Sequence, residues 1–409
     1  MTDEDRTRYR RHVSDLSAFG HRGSATEHER RAADYLASEL QTLGLEPMRE
    51  PFRGARAWGG RHLFHVAVAA AGACCLWSLP IASTVLGLVA LASFWAEGMT
   101  HGPWLTRPLV QAASENVVVS LSEADSPRLR IVVSGHYDSQ RTGLIWLLAG
   151  WLSPWQWRLP VALKPPLLPV AGLMVAQALL GGAALAGLAP LVVTLAGWAV
   201  LAVYLLYAAL FGQWALSPSV PGAADNASGA AGVLAIAQEW QRNPLPGVEL
   251  VLLLTGCEET GLLGATAWAE RHRSEIQAMP TVFVNIDCIG MGPTRFLGWE
   301  VPVVGHPVPY PQELLAMAKS VAAEQGLTAP GPYSVPGPTD GLALLSRGLP
   351  GITVVGFQDG GHFPNYHRMS DSADAVDYES ACRGVEFVWA LLRRLSQTAA
   401  LSAKSSLPV

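Results

Sequence analysis

Leu252-Leu253-Leu254-Thr255-Gly256-Cys257-Glu258-Glu259-Thr260-Gly261-Leu262-Leu263-Gly264 places two adjacent acids at the end of an apolar run, immediately before a glycine-punctuated turn. Strand ends of open α/β sheets are where ligands bind. A Leu- and Val-rich strand tolerates neighbouring carboxylates only when something offsets their desolvation and mutual repulsion. A metal ion is the simplest such partner. Outward from this stretch, residues 248–255, 281–286 and 351–355 read as strands, and 24–41, 229–241, 311–325 and 380–399 carry helical periodicity. Leu43-Gly44-Leu45 closes the first helix as a C-cap would. Residues 116–121 and 129–134, separated by Ala124-Asp125-Ser126-Pro127, read as a β-hairpin. Alternating strands and helices predict an α/β fold with a helix-covered, mixed, mostly parallel sheet.

Hydrophobic residues make up 50% of the 409-residue chain and charged residues only 15%, against a usual charged share of roughly 25%. Part of the chain is therefore expected in a lipid bilayer. The net charge is −5, with 28 basic and 33 acidic residues and no basic run beyond Arg6, Arg8, Arg10 and Arg11, which argues against a nucleic-acid partner. The five cysteines have neither zinc-finger nor disulfide-framework spacing and read as buried, reduced thiols of a cytoplasmic compartment. Met1-Thr2-Asp3-Glu4-Asp5-Arg6 carries no apolar region of the signal-peptide kind. Nothing in the chain sets an oligomeric state.

Two stretches, 62–96 and 165–224, contain no Asp, Glu, Lys or Arg, and both exceed the roughly 20 residues that span a bilayer. Ser78-Leu79-Pro80 splits the first into 63–79 and 81–95, a tight hairpin or re-entrant pair. Gly187-Leu188-Ala189-Pro190 splits the second into 166–186 and 191–211, two helices of full length. Pieces on either side must share one membrane face if they build one sheet, so each insertion crosses an even number of times. Arg53, Arg56, Arg61, Arg107, Arg141, Arg158 and Lys164 flank the insertions while their tips are uncharged, which puts the soluble part on the cytoplasmic side. Residues 142–163 differ: Trp146, Trp151, Trp155 and Trp157 are interleaved with Arg158 and prolines, an interfacial pattern. The expected organisation is a discontinuous domain of residues 1–60, 98–143 and 216–400. It is interrupted by a first hairpin at 62–96 and by a Trp-rich stretch with a second hairpin at 144–215, and followed by a flexible tail at 401–409.

Five places put acids or histidine at or just after the end of an apolar run: His136/Asp138, Asp225, Glu258/Glu259, Asp287 and His367. Singly, each has a plainer reading; Asp225, for instance, suits a helix N-cap before 229–241. Together, two histidines and several carboxylates suit two-metal hydrolysis with zinc, one carboxylate bridging the ions and one left free to take a proton. Glu258 and Glu259 then divide the roles of base and ligand.

The motifs His136-Tyr137-Asp138-Ser139, Pro221-Gly222-Ala223-Ala224-Asp225-Asn226-Ala227-Ser228-Gly229, Glu258-Glu259 with the following Gly-Leu-Leu-Gly, Asn285-Ile286-Asp287 and Tyr366-His367 resemble, in order, those of the co-catalytic di-zinc aminopeptidases of the bacterial leucyl aminopeptidase and aminopeptidase Y type. The resemblance covers residues 8–50, 114–140 and 219–395, not the apolar insertions. It implies two Zn²⁺ ions: His136 and Asp287 on one, Glu259 and His367 on the other, and Asp225 bridging. It further implies Glu258 as general base, Asp138 orienting His136, Tyr366 stabilising the oxyanion, and a peptide substrate whose N-terminal amine is held by carboxylates near the site. Asp340 reads as structural or rim rather than as a ligand. Ala224 stands where the family frequently has an acid, and the connection from Asp138 to Asp225 is far longer than the family's. A one-zinc cyclase of the glutaminyl cyclase branch and a non-enzymatic scaffold of the same fold are the competing readings. Retention of the full ligand set and of Glu258 speaks against both.

Overall fold

The computed structural model describes residues 1–123 and 125–405. Among the described residues there are nine strands: β1 (Met48–Gly54), β2 (Ala112–Ser122), β3 (Leu129–His136), β4 (Val248–Thr255), β5 (Thr281–Asp287), β6 (Thr294–Phe296), β7 (Trp299–Glu300), β8 (Val308–Pro309) and β9 (Gly351–Gly356). Seven of them form one sheet in the order β1-β2-β4-β3-β5-β9-β6, and β7 with β8 form a short separate ladder. The four central strands β4, β3, β5 and β9 are parallel, while β1, β2 and β6 pair antiparallel at the margins.

The expected hairpin of 116–121 with 129–134 does not form. β2 pairs with β1 and β4, and β4 stands between β2 and β3. The reason is burial. Every residue of β3 is buried, the signature of a central parallel strand that needs a partner on both sides. Ala124 of the expected turn lies outside the described residues.

Helix α8 (Ser228–Arg242) packs on the middle of the sheet, with α1 (Asp3–Ser17), α2 (Glu27–Thr42) and α13 (Tyr378–Ser405) around it. Helices α9 (Leu263–Arg271) and α12 (Asp340–Leu345) form a separate layer on β1, β2, β3, β5 and β9. The α8 entry depends on Gly229: a Cβ there would lie 2.5 Å from the Ile286 carbonyl oxygen of β5, closer than any side chain fits. The α2 C-cap forms as read from Leu43-Gly44-Leu45, with Gly44 at φ +73° and the amide of Leu45 bonded to the Leu40 carbonyl. α13 continues through Ser405, past the start of the expected tail at 401, and 406–409 lie outside the described residues.

The apolar insertions build α3 (Trp58–Cys74), α4 (Pro80–Gly98), α6 (Leu168–Leu185) and α7 (Pro190–Leu216), with α5 (Leu144–Arg158) between the hairpins. Three of these helices, α4, α6 and α7, are long and apolar enough to cross a membrane. The hairpins pack on each other as one four-helix bundle, through α3·α4, α3·α7, α4·α6 and α6·α7 contacts, with an apolar core separate from that of the sheet. Outward residues such as Ile81, Leu179, Leu191, Leu195 and Leu205 are exposed, an apolar outer face of the kind a bilayer covers.

One polar group ties the bundle. Gln177 on α6 is buried, donates to the Ser83 carbonyl of α4 and accepts from the Tyr204 hydroxyl of α7, while Gly72 of α3 and Gly87 of α4 approach it closely. Small residues around a polar side chain are how helices associate in lipid. Two flanking charges are not free to set topology. Arg61 is buried and pairs with Glu97 at 2.6 Å, and Lys164 is buried against Ser334. Of the cysteines, only Cys257, Cys288 and Cys382 are buried. Cys74 is exposed and Cys75 half-buried at the α3–α4 turn, because that turn is the tip of a hairpin rather than part of a packed core.

Replacement of Gln177 by Leu removes both interhelical hydrogen bonds and strands the Tyr204 hydroxyl. The bundle is expected to lose about 1 kcal/mol, read as a lower unfolding midpoint of the full chain in lipid nanodiscs; an unchanged midpoint contradicts the role.

Candidate metal centre

The central parallel strands deliver the cluster from their C-terminal ends, as open α/β sheets do. His136 ends β3, Asp287 ends β5, Glu258 and Glu259 follow β4, and His367 lies in the loop after β9. Asp225 sits in the turn Ala223–Ala227 before α8. It is not the helix cap. Ala227 stands at the N-cap, and just before it Asn226 Oδ1 accepts from the amides of Gly229 and Cys288. Asp225 is thereby left free to face the strand ends.

All six residues are at most 6% exposed. The two oxygens of Asp225 face different histidines: Oδ1 is 3.2 Å from His136 Nε2, and Oδ2 is 2.9 Å from His367 Nε2. Around His136 Nε2 also stand Asp287 Oδ1 at 3.6 Å and Glu258 Oε2 at 4.0 Å, while Glu259 Oε2 is 3.4 Å from His367 Nε2. Two groups of potential ligands result, His136/Asp225/Asp287 and Asp225/Glu259/His367, each with ligand atoms within 4.8 Å and with Asp225 common to both; a third, His136/Glu258/Glu259, overlaps them.

Asp138 lies behind His136, its Oδ1 3.4 Å from Nδ1. The same carboxylate accepts from the amides of Glu258 and Glu259 and from the Ser24 hydroxyl, so it holds both the imidazole and the acidic loop. Tyr366 is half-buried and stacks on His367 with ring centroids 3.6 Å apart. Burial, with the carboxylates beyond it, raises its phenol above the ordinary range, so it remains a donor at neutral pH.

The electrostatics are those of a site short of positive charge. Burial pushes Glu258 well up, reinforced by Glu259, Asp340 and Asp287 and opposed by His136. Glu259 is pushed up to about 7 by burial and by Asp225, against His367. Burial works against charge on the histidines, yet Glu258, Asp138, Asp225 and Asp287 raise His136, and Glu259 and Asp225 raise His367 to about 9. Glu259 Oε1 and Asp287 Oδ1 are buried without a hydrogen-bond partner. Unsatisfied carboxylate oxygens beside imidazole nitrogens are a donor set that divalent cations fit, and zinc accepts this mixture of nitrogen and oxygen.

Several residues that no sequence pattern singled out complete the site. Arg22 is fully buried and donates to the carbonyls of Leu16, Tyr137, Pro221 and Gly222, tying the Asp138 and Asp225 loops together. Asp371 accepts from the amides of Ala224 and Asp225 at 2.8 and 3.1 Å. An acid in the polar turn just after His367 was its only available signal. Gln140 donates to both the backbone and Oε2 of Glu259. Asp340 is no rim residue: it is buried, takes a hydrogen bond from the Thr255 hydroxyl, and is raised to about 7 by burial. The backbone is strained beside the cluster, with φ +52° at Cys257, +52° at Cys288 and +54° at His367, conformations that non-glycine residues keep only under constraint.

The insertions reach this site. Arg61 of α3 donates to the carbonyl of Thr260, next to Glu259. Trp146 of α5 stands edge-on to His367 with centroids 4.1 Å apart.

Comparison with known proteins agrees with the resemblance read from the motifs. Residues 193–392 match the model of peptidase family M28. The chain is 34% identical over 76 residues to a probable glutamate carboxypeptidase of Arabidopsis thaliana, a match spanning 18% of this chain and only 11% of that protein. Among solved structures, it is similar to a zinc-dependent exopeptidase of Parabacteroides distasonis (13% identity, TM-score 0.53, 94% of this chain and 97% of that one). It is also similar to a zinc aminopeptidase of Bacillus subtilis (13%, 0.55, 95% of each). A glutaminyl cyclase of Bacteroides thetaiotaomicron is as similar (12%, 0.55, 95% of this chain and 97% of that one). At these identities the likeness establishes a common fold, the mixed α/β sheet of zinc exopeptidases.

A cation entering this cluster displaces the protons that the carboxylates hold on His136 and His367. Because His367 is raised to about 9, protons compete below that pH, and zinc affinity is expected to rise steadily from about pH 6 to about pH 8 with measurable proton release. Competition titration in buffers of different ionisation enthalpy measures both, and a pH-independent affinity contradicts the assignment.

Proposed function

We propose that this chain, whose residues 193–392 match peptidase family M28, is a membrane-anchored di-zinc exopeptidase that cleaves the N-terminal peptide bond of its substrates. The observation that carries the reading is Asp225, whose two oxygens address two histidines on opposite sides. A one-ion cyclase needs neither that bridge nor the pair His136 and Asp287. In the proposed roles, His136 and Asp287 hold one zinc, Glu259 and His367 the other, and Asp225 lies between. Zinc bound there supplies Lewis acidity toward the scissile carbonyl and acidifies water.

The protein's own groups do the rest. Glu258, beside His136, takes the proton of the attacking water on a carboxylate oxygen and passes it to the departing amine as the C–N bond breaks. Burial and the neighbouring acids raise the Glu258 carboxyl, and cations held by the surrounding ligands would lower it again. Asp138 keeps His136 in one orientation. The phenol of Tyr366 donates to the developing oxyanion.

The proposed arrangement is a discontinuous peptidase domain of residues 1–60, 98–143 and 216–400 carried on the two hairpins. With Arg61 and Lys164 set aside, the exposed or half-exposed Arg53, Arg56, Arg107, Arg141 and Arg158 still lie in the segments that join the bundle helices to the rest of the chain, not at the hairpin tips, which supports a cytoplasmic location for the peptidase part. Helix α7 has 27 residues, about 40 Å at 1.5 Å per residue. That exceeds a hydrocarbon core of roughly 30 Å, which leaves its last turns, with Phe211 and Trp214, to reach the peptidase domain.

Glu258→Gln is expected to retain zinc while lowering peptide hydrolysis by roughly 10²- to 10⁴-fold, measured as release of N-terminal residues from a peptide panel by the purified chain with and without chelator. A variant that hydrolyses peptides at the wild-type rate contradicts the assigned base. Cyclisation of N-terminal glutamine in place of hydrolysis selects the cyclase reading.

A further inference from the structure

Helix α5 has two unlike faces, and each meets a different part of the problem. Its outward face presents Leu144, Leu147, Leu148, Trp151, Leu152 and Trp155, all exposed, at the i, i+3, i+4, i+7 spacing of a single stripe. Trp151 is 74% and Trp155 68% exposed, values that a soluble surface does not sustain over a contiguous stripe. The stripe carries no charge, and α5 packs on α7, one of the helices apolar enough to cross a membrane. That attachment to the apolar bundle identifies the lipid surface as its occupant.

The inward face grips the loop that bears His367. At one end, Trp146 stands edge-on to the His367 ring, and its Nε1 is anchored to the Arg141 carbonyl. At the other end, the ring of Trp157 leaves no room for a Cβ on Gly361 and packs against Phe357. Trp214, near the end of α7, backs Trp146 with centroids 5.1 Å apart. His367 needs this support. Its Nδ1 is buried without a hydrogen-bond partner, whereas a metal-binding histidine ordinarily has its second nitrogen held by a carboxylate or carbonyl. Two aromatic contacts, Tyr366 stacked on the ring and Trp146 edge-on to it, take the place of that bond.

We propose that α5 is a bilayer-seated positioning element of the metal centre: its outward stripe lies in the lipid surface, and its inward Trp146 fixes the ring of His367. Trp146 is a positioning residue, acting through His367 rather than on substrate. The inference rests on His367 being a metal ligand, and it extends the role of the insertions from anchoring to holding one of the two ions. It also sets the peptidase mouth at the membrane surface, so the substrate class it favours is a peptide held at that surface.

The test uses the full chain in nanodiscs, with cobalt as the metal probe. Trp146→Ala is expected to weaken binding of one of two Co²⁺ ions by roughly 10- to 100-fold and to alter the visible Co²⁺ spectrum, while Trp146→Phe restores much of both. In parallel, tryptophan fluorescence in nanodiscs containing brominated phosphatidylcholine is expected to be quenched in the wild type and much less so in Trp151→Gln/Trp155→Gln. A Trp146→Ala chain with wild-type Co²⁺ affinity and spectrum overturns the positioning role. Quenching that the double variant leaves unchanged overturns the lipid seating, and assigns the stripe to a protein partner instead. Wild-type protein that binds Co²⁺ normally but hydrolyses no peptide strikes the peptidase reading and leaves this inference intact.

Discussion

Five carboxylates and two imidazoles share a volume from which water is excluded, and the rest of the fold is arranged around that constraint. Asp138, Asp225, Glu258, Glu259 and Asp287 stand there against His136, His367 and the nearby Arg22, so acidic groups outnumber basic ones in a buried site. In the absence of cations the cluster resolves the conflict by holding protons, which is why Glu259 rises to about 7 and His367 to about 9. Divalent cations held there would offset that charge, meeting the unpartnered oxygens of Glu259 and Asp287.

Holding such a cluster open requires a rigid frame. The parallel strands β3, β4, β5 and β9 provide it, and the buried guanidinium of Arg22 ties their loops from behind. The hairpin bundle adds a second support. Arg61, paired with Glu97, binds the Thr260 carbonyl beside the acidic pair, and the aromatic group of Trp214 and Trp146 borders His367. Helices that read as mere insertions thus touch two of the loops that bear the cluster.

Much of this was legible in the chain. The paired acids after 248–255, the strand ends at His136 and Asp287, and the ordered motifs point to the side chains that the fold gathers, because acids and histidines at the ends of apolar strands leave a local mark. What escaped depends on long-range contact. The hairpin expected from the run before Ser126-Pro127 failed because β4, far away in sequence, takes the place between β2 and β3. Arg22, Gln140 and Asp371 act through backbone groups of distant loops, and no periodicity announces such bonds. The flanking arginines look alike in sequence, although Arg61 is engaged in an internal ion pair. Trp146 belonged to a stretch whose composition announced a membrane surface, and only the fold brings its ring to His367.

The central claim is that Asp225 bridges two ions in one buried site. Anomalous scattering at the zinc edge from crystals of the full chain tests it directly. Two peaks roughly 3.5–4 Å apart, one beside His136 and Asp287 and the other beside Glu259 and His367, are the predicted result; a single peak, or none, contradicts it.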